Sequence, residues 1–488
     1  LQAQKGTNMI SFFRSSTSFK YIILFILFLS FRLPIIFWDM PWLNTSLSWL
    51  ILGERLGQGY GLYTNAWDNT APFAALFYTF LDISFGKSYI VHQMASILII
   101  FSQALWLNQV LYRYQVYNER TMLPALLYLI VMSIFIDSWV VTPVLLANTF
   151  LIALLRYLLI QINEKQRYNA TFEIGAYTAI ATLFFLPSAV ILLVAFASFL
   201  LYTNSKPRDY ILMLVSFSFT IGIVFLGFYM FGAEYAFYNN FFRPLLFLQI
   251  KFYLPFYEIL LLGSISILMV ILNIVSASQY RRYSNYQNRM QTILTFWWIV
   301  SLPALFLDYK LSAHSLCFLA IPASFLLTHL FLQMQNGILR ELLFVILISW
   351  HLFFTYITAF KIDLIIPLAQ LGWQNIPIKI STKKLITQKN TKNEIWKNKK
   401  TLVIGDDLSP YIDAKPVTPY LNDMLSQQHW QNLDKYNVLL AIYDNFKKEI
   451  PEVIIDQKNT MKKVFEKLPI IAQMYQKLDN HYIYILKK

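Results

Sequence analysis

The chain has 488 residues, 57% of them hydrophobic and only 14% charged, with a mean hydropathy of +0.49. An ordinary soluble domain has about a quarter charged residues, so too few remain here to cover a water-soluble globule of this size. The net charge of +14 does not indicate nucleic acid, because Lys and Arg sit in short loops between apolar segments and in the tail rather than among aromatics on one solvated face. A single cysteine, Cys317, excludes an intrachain disulfide and argues against a thiolate metal site.

The apolar stretches are about 18 to 24 residues long, the length a helix needs to cross roughly 30 Å of hydrocarbon. Met9 opens a short basic leader, MISFFRSSTSFK, which we read as the translated start of a cytoplasmic N-terminal segment, residues 1–20. The apolar run after Lys20 has no small-residue cleavage site and reads as a retained first helix, about 21–38, carrying Arg32. Residues 39–88 form a net negative segment with two amphipathic candidates, 43–57 and 72–86, expected to lie on the membrane surface.

Further crossings are expected at 89–112, 121–137, 143–162, 171–186, 188–203, 209–232, 255–278, 291–307, 312–333 and 341–360, about eleven in all. With the N-terminus cytoplasmic, the loops carrying Arg113 and Arg120, Lys165 and Arg167, Lys206 and Arg208, Arg281, Arg282 and Arg289, and Arg340 all face the cytoplasm. That distribution obeys the positive-inside rule, and an odd number of crossings puts the C-terminus outside.

A Lys-rich linker, 361–400, leads to a change of pattern. TLVIGDD, YNVLLAIYD, EVIID and HYIYIL are short β-prone runs, separated by helix-like stretches at 419–428 and 459–477. Their alternation predicts a small α/β domain over 401–488. The expected architecture is an all-α polytopic membrane domain, 21–360, followed by this soluble domain on the extracytoplasmic side.

Nucleotide, zinc-protease and serine-hydrolase signatures are missing, and the six histidines show no ligand spacing. Three regions stand out. From Arg32 to Gly86 come a first helix, an acidic loop, an amphipathic helix ending in Gly-rich turns, then Trp67-Asp68-Asn69 and Pro72. Asp308-Tyr-Lys-Leu-Ser-Ala-His314 leads into a helix with Pro322, and GDDLSPYIDAKPVTPYL is followed by EIPEVIID.

In this order the three regions resemble the GT-C superfamily of membrane glycosyltransferases, specifically the protein mannosyltransferase-like and RgtA/B/C/D-like enzymes. The resemblance implies transfer of a sugar from a polyprenyl-phosphate donor to a lipid, glycan or protein acceptor at the outer face of a bacterial cytoplasmic membrane. It implies a carboxylate as general base, for which Asp39 and Asp68 are the candidates. Arg32, Arg243, Lys251, Lys310 and His314 are the candidates for holding the anionic donor, with membrane lipids around them and a divalent metal or a protein partner compatible with the resemblance.

The chain departs from the superfamily at several places. The acidic pair expected after the first helix falls on Asn44 and Thr45, a second acidic position reads Thr142-Pro143, and a Lys-Pro pair is Thr70-Ala71. These changes leave open a non-catalytic scaffold or assembly partner. A transporter is a further alternative, although its charges belong on a midplane pathway. For each residue there is also a plain reading: Asp39 and Asp68 as solvated or helix-capping carboxylates, Arg32 snorkelling, Lys310 and His314 as interfacial anchors, and the tryptophans as an aromatic belt.

Overall fold

In the computed structural model, the described residues are 9–14, 18–37, 42–133, 136–164, 168–203, 205–243, 251–252, 256–277, 284–359, 365–366, 378–379, 395–478 and 482–487. Two compact units emerge: residues 1–40, 93–226 and 252–380, and residues 41–92, 227–251 and 381–488.

The described residues of the first unit are mainly apolar helices. Among the described residues, seven helices are long and apolar enough to cross a membrane, including Tyr89–Arg113, Pro207–Met230 and Gly337–Tyr356. The expected count of about eleven crossings is therefore not reached on length and composition. In the expected crossing 121–137 the described residues form the helix Leu123–Ser133 and a 3-10 turn at Ile136–Trp139, and in the crossing 188–203 Leu186–Val190 is 3-10 before the helix Ile191–Tyr202. The Pro207–Met230 helix is mostly exposed, as a lipid-facing surface should be, whereas Ala313–Gln333 is almost wholly enclosed by protein.

Lipid gives helices no hydrophobic reason to associate, so close packing and interhelical hydrogen bonds do it. Gly175 lets the Tyr168–Phe184 helix approach the Pro207–Met230 helix so closely that a Cβ there would lie 2.3 Å from the Met213 carbonyl oxygen. Gln103 donates to the Leu145 carbonyl and to Thr149, both at 2.7 Å, and accepts from the Tyr128 hydroxyl at 2.8 Å. Asn148 donates to the Cys317 carbonyl at 3.0 Å. These bonds satisfy polar groups that have no water to turn to.

The second unit joins the first loop to the C-terminal α/β segment. Its sheet has five strands in the spatial order Lys415–Pro416, Lys400–Ile404, Val453–Asp456, Ile483–Leu486, Tyr475–Lys477. The first two pairings that involve Lys400–Ile404 are parallel and the remaining two antiparallel. One face of this sheet, with Val403, Val453, Ile455 and Ile483, packs against Leu47, Ile51 and Leu52 of the helix Asn44–Gly57 and Ala75 of the helix Pro72–Phe85. The other face, with Leu402, Ile404 and Ile454, packs against Ile442, Phe446, Met461 and Val464.

The β-prone reading of YNVLLAIYD is corrected: Tyr436–Lys448 is a helix. Leu439, Ile442 and Phe446 recur at spacings of three and four, which puts them on one helical face, and Ile442 and Phe446 are buried. The helix expected at 419–428 forms at Asp423–Gln431, and 459–477 resolves into Met461–Lys467, Pro469–Met474 and the strand Tyr475–Lys477. Asn422 sets the first of these boundaries, its side chain accepting from the Met424 and Leu425 amides as an N-cap.

Candidate functional site

Arg32 lies on the helix Ser18–Phe37 and is fully buried. Nη1 donates to Ser96 Oγ at 3.4 Å, and Ser96 donates to the Ser138 carbonyl at 2.8 Å. The guanidinium lies over the Phe28 ring at 4.7 Å and the Trp139 ring at 5.4 Å. Nε and Nη2 are buried without a hydrogen-bond partner, and no carboxylate pairs with Arg32 among the described residues. The guanidinium is thus stacked on aromatic rings and enclosed by protein, with part of its donor fork unanswered. Trp139 also lines a crevice of about 20 Å³ with Phe31, His351 and Thr355, room for a single water.

Cys317 is buried. It sits on the 3-10 helix Ala313–Leu319, which packs against the turn that carries Ser138 and Trp139. In a 3-10 helix, residues three apart share a face, so His314 stands on the same side as Cys317. The structure thus brings Arg32 and His314 to neighbouring elements of one unit, although they are far apart in sequence.

The segment before this helix is tightly ordered. Asp308 Oδ1 accepts the Lys310 amide at 3.1 Å, and Oδ2 accepts the Ser315 hydroxyl and lies 3.7 Å from His314 Nε2. Ser312 and Ser315 form a reciprocal capping box at the helix start. Lys310 and His314 are both buried. The sequence reading named Lys310 and His314 but missed Asp308 and Ser315 as the residues that hold the loop. The S-x-x-S spacing was the available signal.

Asp68 belongs to the second unit and is 2% exposed. Its Oδ1 accepts the Thr70 amide at 2.7 Å and the Thr70 hydroxyl, an Asx-type turn. Tyr63, at the left-handed φ of +67°, donates its hydroxyl to the Thr70 carbonyl at 2.7 Å. Burial, with the Asp68 charge adding, pushes the hydroxyls of Tyr63 and Tyr78 well above the ordinary tyrosine range. Both are therefore hydrogen-bond donors at any physiological pH.

The positions that depart from the superfamily have structural duties. Asn44 and Thr45 are buried in the first turn of their helix, and Asn44 Oδ1 accepts the Leu408 amide at 3.2 Å. Thr142 Oγ1 accepts the Leu145 amide at 3.1 Å, capping the helix Pro143–Glu164. In the same unit as Asn44, Arg55 meets Glu449 at 3.3 Å in a buried ion pair, and Glu449 also accepts the Thr418 amide and hydroxyl at 2.9 and 2.6 Å.

Of the other candidates, Asp39 lies outside the described residues. Lys251 is in a two-residue strand, Lys251–Phe252, with its side chain likewise outside them. Arg243 is exposed, just after the π-helical turn Tyr238–Phe242. No three His, Cys, Asp or Glu side chains converge among the described residues.

The fold defines a multi-pass helical membrane protein. The solved structure of the archaeal oligosaccharyltransferase AglB from Archaeoglobus fulgidus, in complex with an inhibitory peptide and a dolichol-phosphate, is similar over 97% of this chain and 75% of that one, with a TM-score of 0.51 and 9% identity. At that identity the likeness concerns the fold alone. No curated protein matches the sequence. The chain belongs to a family of unknown function, DUF6427, whose model matches residues 71–363.

Proposed function

We propose that this protein is a GT-C-like membrane glycosyltransferase of the protein mannosyltransferase-like and RgtA/B/C/D-like kind. It moves a sugar from a polyprenyl-phosphate donor to a lipid, glycan or protein acceptor at the outer face of a bacterial cytoplasmic membrane. The organisation is a cytoplasmic segment (1–20), a membrane domain of about eleven crossings (21–360) with its outer loop (39–88), a linker (361–400) and an extracytoplasmic α/β domain (401–488). The observation that carries the reading is Arg32, a buried cation in a membrane helix with unmatched donors. Such a residue is retained for function far more readily than for stability.

In the reaction, the acceptor hydroxyl attacks the anomeric carbon as the bond to the carrier phosphate breaks. The proton passes to a carboxylate, Asp39 or Asp68. The departing phosphate keeps the bonding electrons, and its charge is held by the Arg32 guanidinium with Lys310 and His314. Arg243 and Lys251 complete the basic set for the donor. Asn44 and Thr45, where the superfamily has acids, favour the second reading, a non-catalytic scaffold that keeps the architecture and uses these positions for packing.

The test is mass spectrometry of lipids retained by the purified full-length protein, with reconstituted transfer assayed alongside. The first reading requires that wild type retains a polyprenyl phosphate, that R32M loses it, and that D39N or D68N abolishes transfer. Retention by wild type with no transfer by the wild-type protein would move the assignment to the scaffold, and transfer undiminished in both aspartate variants would overturn the aspartates as bases.

A further inference from the structure

A second polar cavity lies far along the same membrane unit, at the other end of the helix Tyr89–Arg113 from Ser96. It is an open concavity of about 840 Å³ whose exposed lining includes Tyr112, Arg113, Asn118 and Arg120, with Tyr114, Tyr286 and Gln287 deeper in its wall. That volume is within the range of small-molecule sites, roughly 300–1,000 Å³. Arg113 ends one membrane-length helix and Asn285 begins another, so the cavity lies where spans meet water.

Its electrostatics are one-sided. Arg113 and Arg120 make no ion pair among the described residues, and Arg120 lies over the Tyr112 ring at 5.1 Å. The one carboxylate in the lining, Glu119, is already held by Arg14 through two bonds at 2.9 and 3.0 Å. The 20-residue helix Asn285–Ala304 starts at the cavity wall, directing the positive end of its dipole there. Gln287 of that first turn is tied to Asn118 at 2.7 Å, which keeps the wall in place. The Tyr286 hydroxyl is buried without a hydrogen-bond partner.

From the convergence of two uncommitted guanidinium groups, a helix N-terminus and an unanswered hydroxyl on one polar cavity, we infer that it binds a phosphate-bearing polar group. The tyrosines supply flat faces for a sugar or polyol attached to the phosphate. The group comes either from an anionic phospholipid headgroup entering from the bilayer or from a phosphorylated solute entering from water. Neither source involves Arg32 or the aspartates, so this site is independent of the transfer reaction proposed above.

The experiment uses the full-length protein in nanodiscs of phosphatidylcholine, with and without phosphatidylglycerol, and in a third arm with glucose 6-phosphate added to the phosphatidylcholine discs. Thermal shift and native mass spectrometry report binding by wild type, R113Q/R120Q, Y286F and R208Q. Arg208 is an exposed cation in the first turn of the helix Pro207–Met230 and serves as the control for general charge. The expected result is an adduct and a stabilising shift in one of the two phosphate arms, weakened at least about tenfold in R113Q/R120Q and measurably in Y286F, with R208Q unchanged. Response to the phospholipid alone identifies a headgroup site, and response to the sugar phosphate alone a solute site. Equal binding by wild type and R113Q/R120Q, equal losses in R208Q and R113Q/R120Q, or binding in neither arm overturns the assignment.

Discussion

Replacing Arg32 by methionine separates ligand binding from stability. An arginine at the centre of a membrane helix costs roughly 2.5–3.5 kcal/mol on insertion scales, and somewhat less near a helix end, where Arg32 sits. Two cation–π contacts, at 4.7 and 5.4 Å, return about 0.5–2 kcal/mol each. The bond to Ser96 is long at 3.4 Å and adds little. These contributions nearly cancel, so R32M is expected to unfold within about 1 kcal/mol of wild type. Binding is a different matter. Removing one partner of a desolvated charge pair loses about 2–5 kcal/mol, roughly thirty- to several-thousand-fold in affinity. Retention of a polyprenyl phosphate through detergent exchange, measured beside thermal unfolding, reads both quantities. If R32M unfolds more than about 3 kcal/mol more easily while retaining the lipid, Arg32 is a structural residue and the reasoning fails.

Other outcomes are expected in the second unit. E449Q leaves Arg55 poorly paired inside the protein and should destabilise, E449A by about 3–5 kcal/mol, whereas R55M/E449L should be milder than either single change in a thermal unfolding series. G53A places a Cβ 2.8 Å from the Tyr78 carbonyl oxygen, forcing two packed helices apart for about 1–3 kcal/mol; a wild-type melting temperature would show that the contact yields. His429 packs on Trp67 at 4.4 Å, and burial lowers its pKa from the usual 6.5. The folded state therefore prefers neutral imidazole, so this contribution is complete above about pH 6.5 and is lost as pH falls through the lowered value. H429Q should flatten the acid side of a stability profile taken between about pH 5 and 8, and an unchanged slope would assign it to other groups. Tyr63→Phe removes the hydroxyl that holds the Thr70 carbonyl and should cost about 1 kcal/mol, measured the same way.

Much of the architecture could be read locally. Long apolar runs specify membrane helices because lipid satisfies no backbone hydrogen bonds, and helices stand at most of the expected places. The two first-loop helices likewise formed at Asn44–Gly57 and Pro72–Phe85. Periodicity misled at Tyr436–Lys448, where a crowded apolar run was read as a strand although its buried residues keep helical spacing. Crossing number was harder still, since one expected crossing includes the 3-10 turn Ile136–Trp139 and another begins with the 3-10 segment Leu186–Val190. Hydropathy averages over such breaks without registering them.

The chemistry was only partly legible. Residue type and position marked Arg32, Lys310, His314 and Asp68 as unusual. Nothing nearby in the chain showed that Trp139 would lie over Arg32, whereas Phe28, four residues before Arg32 on the same helix, and the Asx-type contacts of Asp308 with the Lys310 amide and of Asp68 with Thr70 are local. The Arg55–Glu449 pair joins residues at opposite ends of the sequence. By itself the sequence determined the solvent, because too few polar residues exist to cover a soluble globule, and it determined the local helical and α/β character through spacing. Tertiary structure alone decided which charges are paired, stacked or left unmatched, because burial and electrostatics depend on neighbours that chain proximity does not supply.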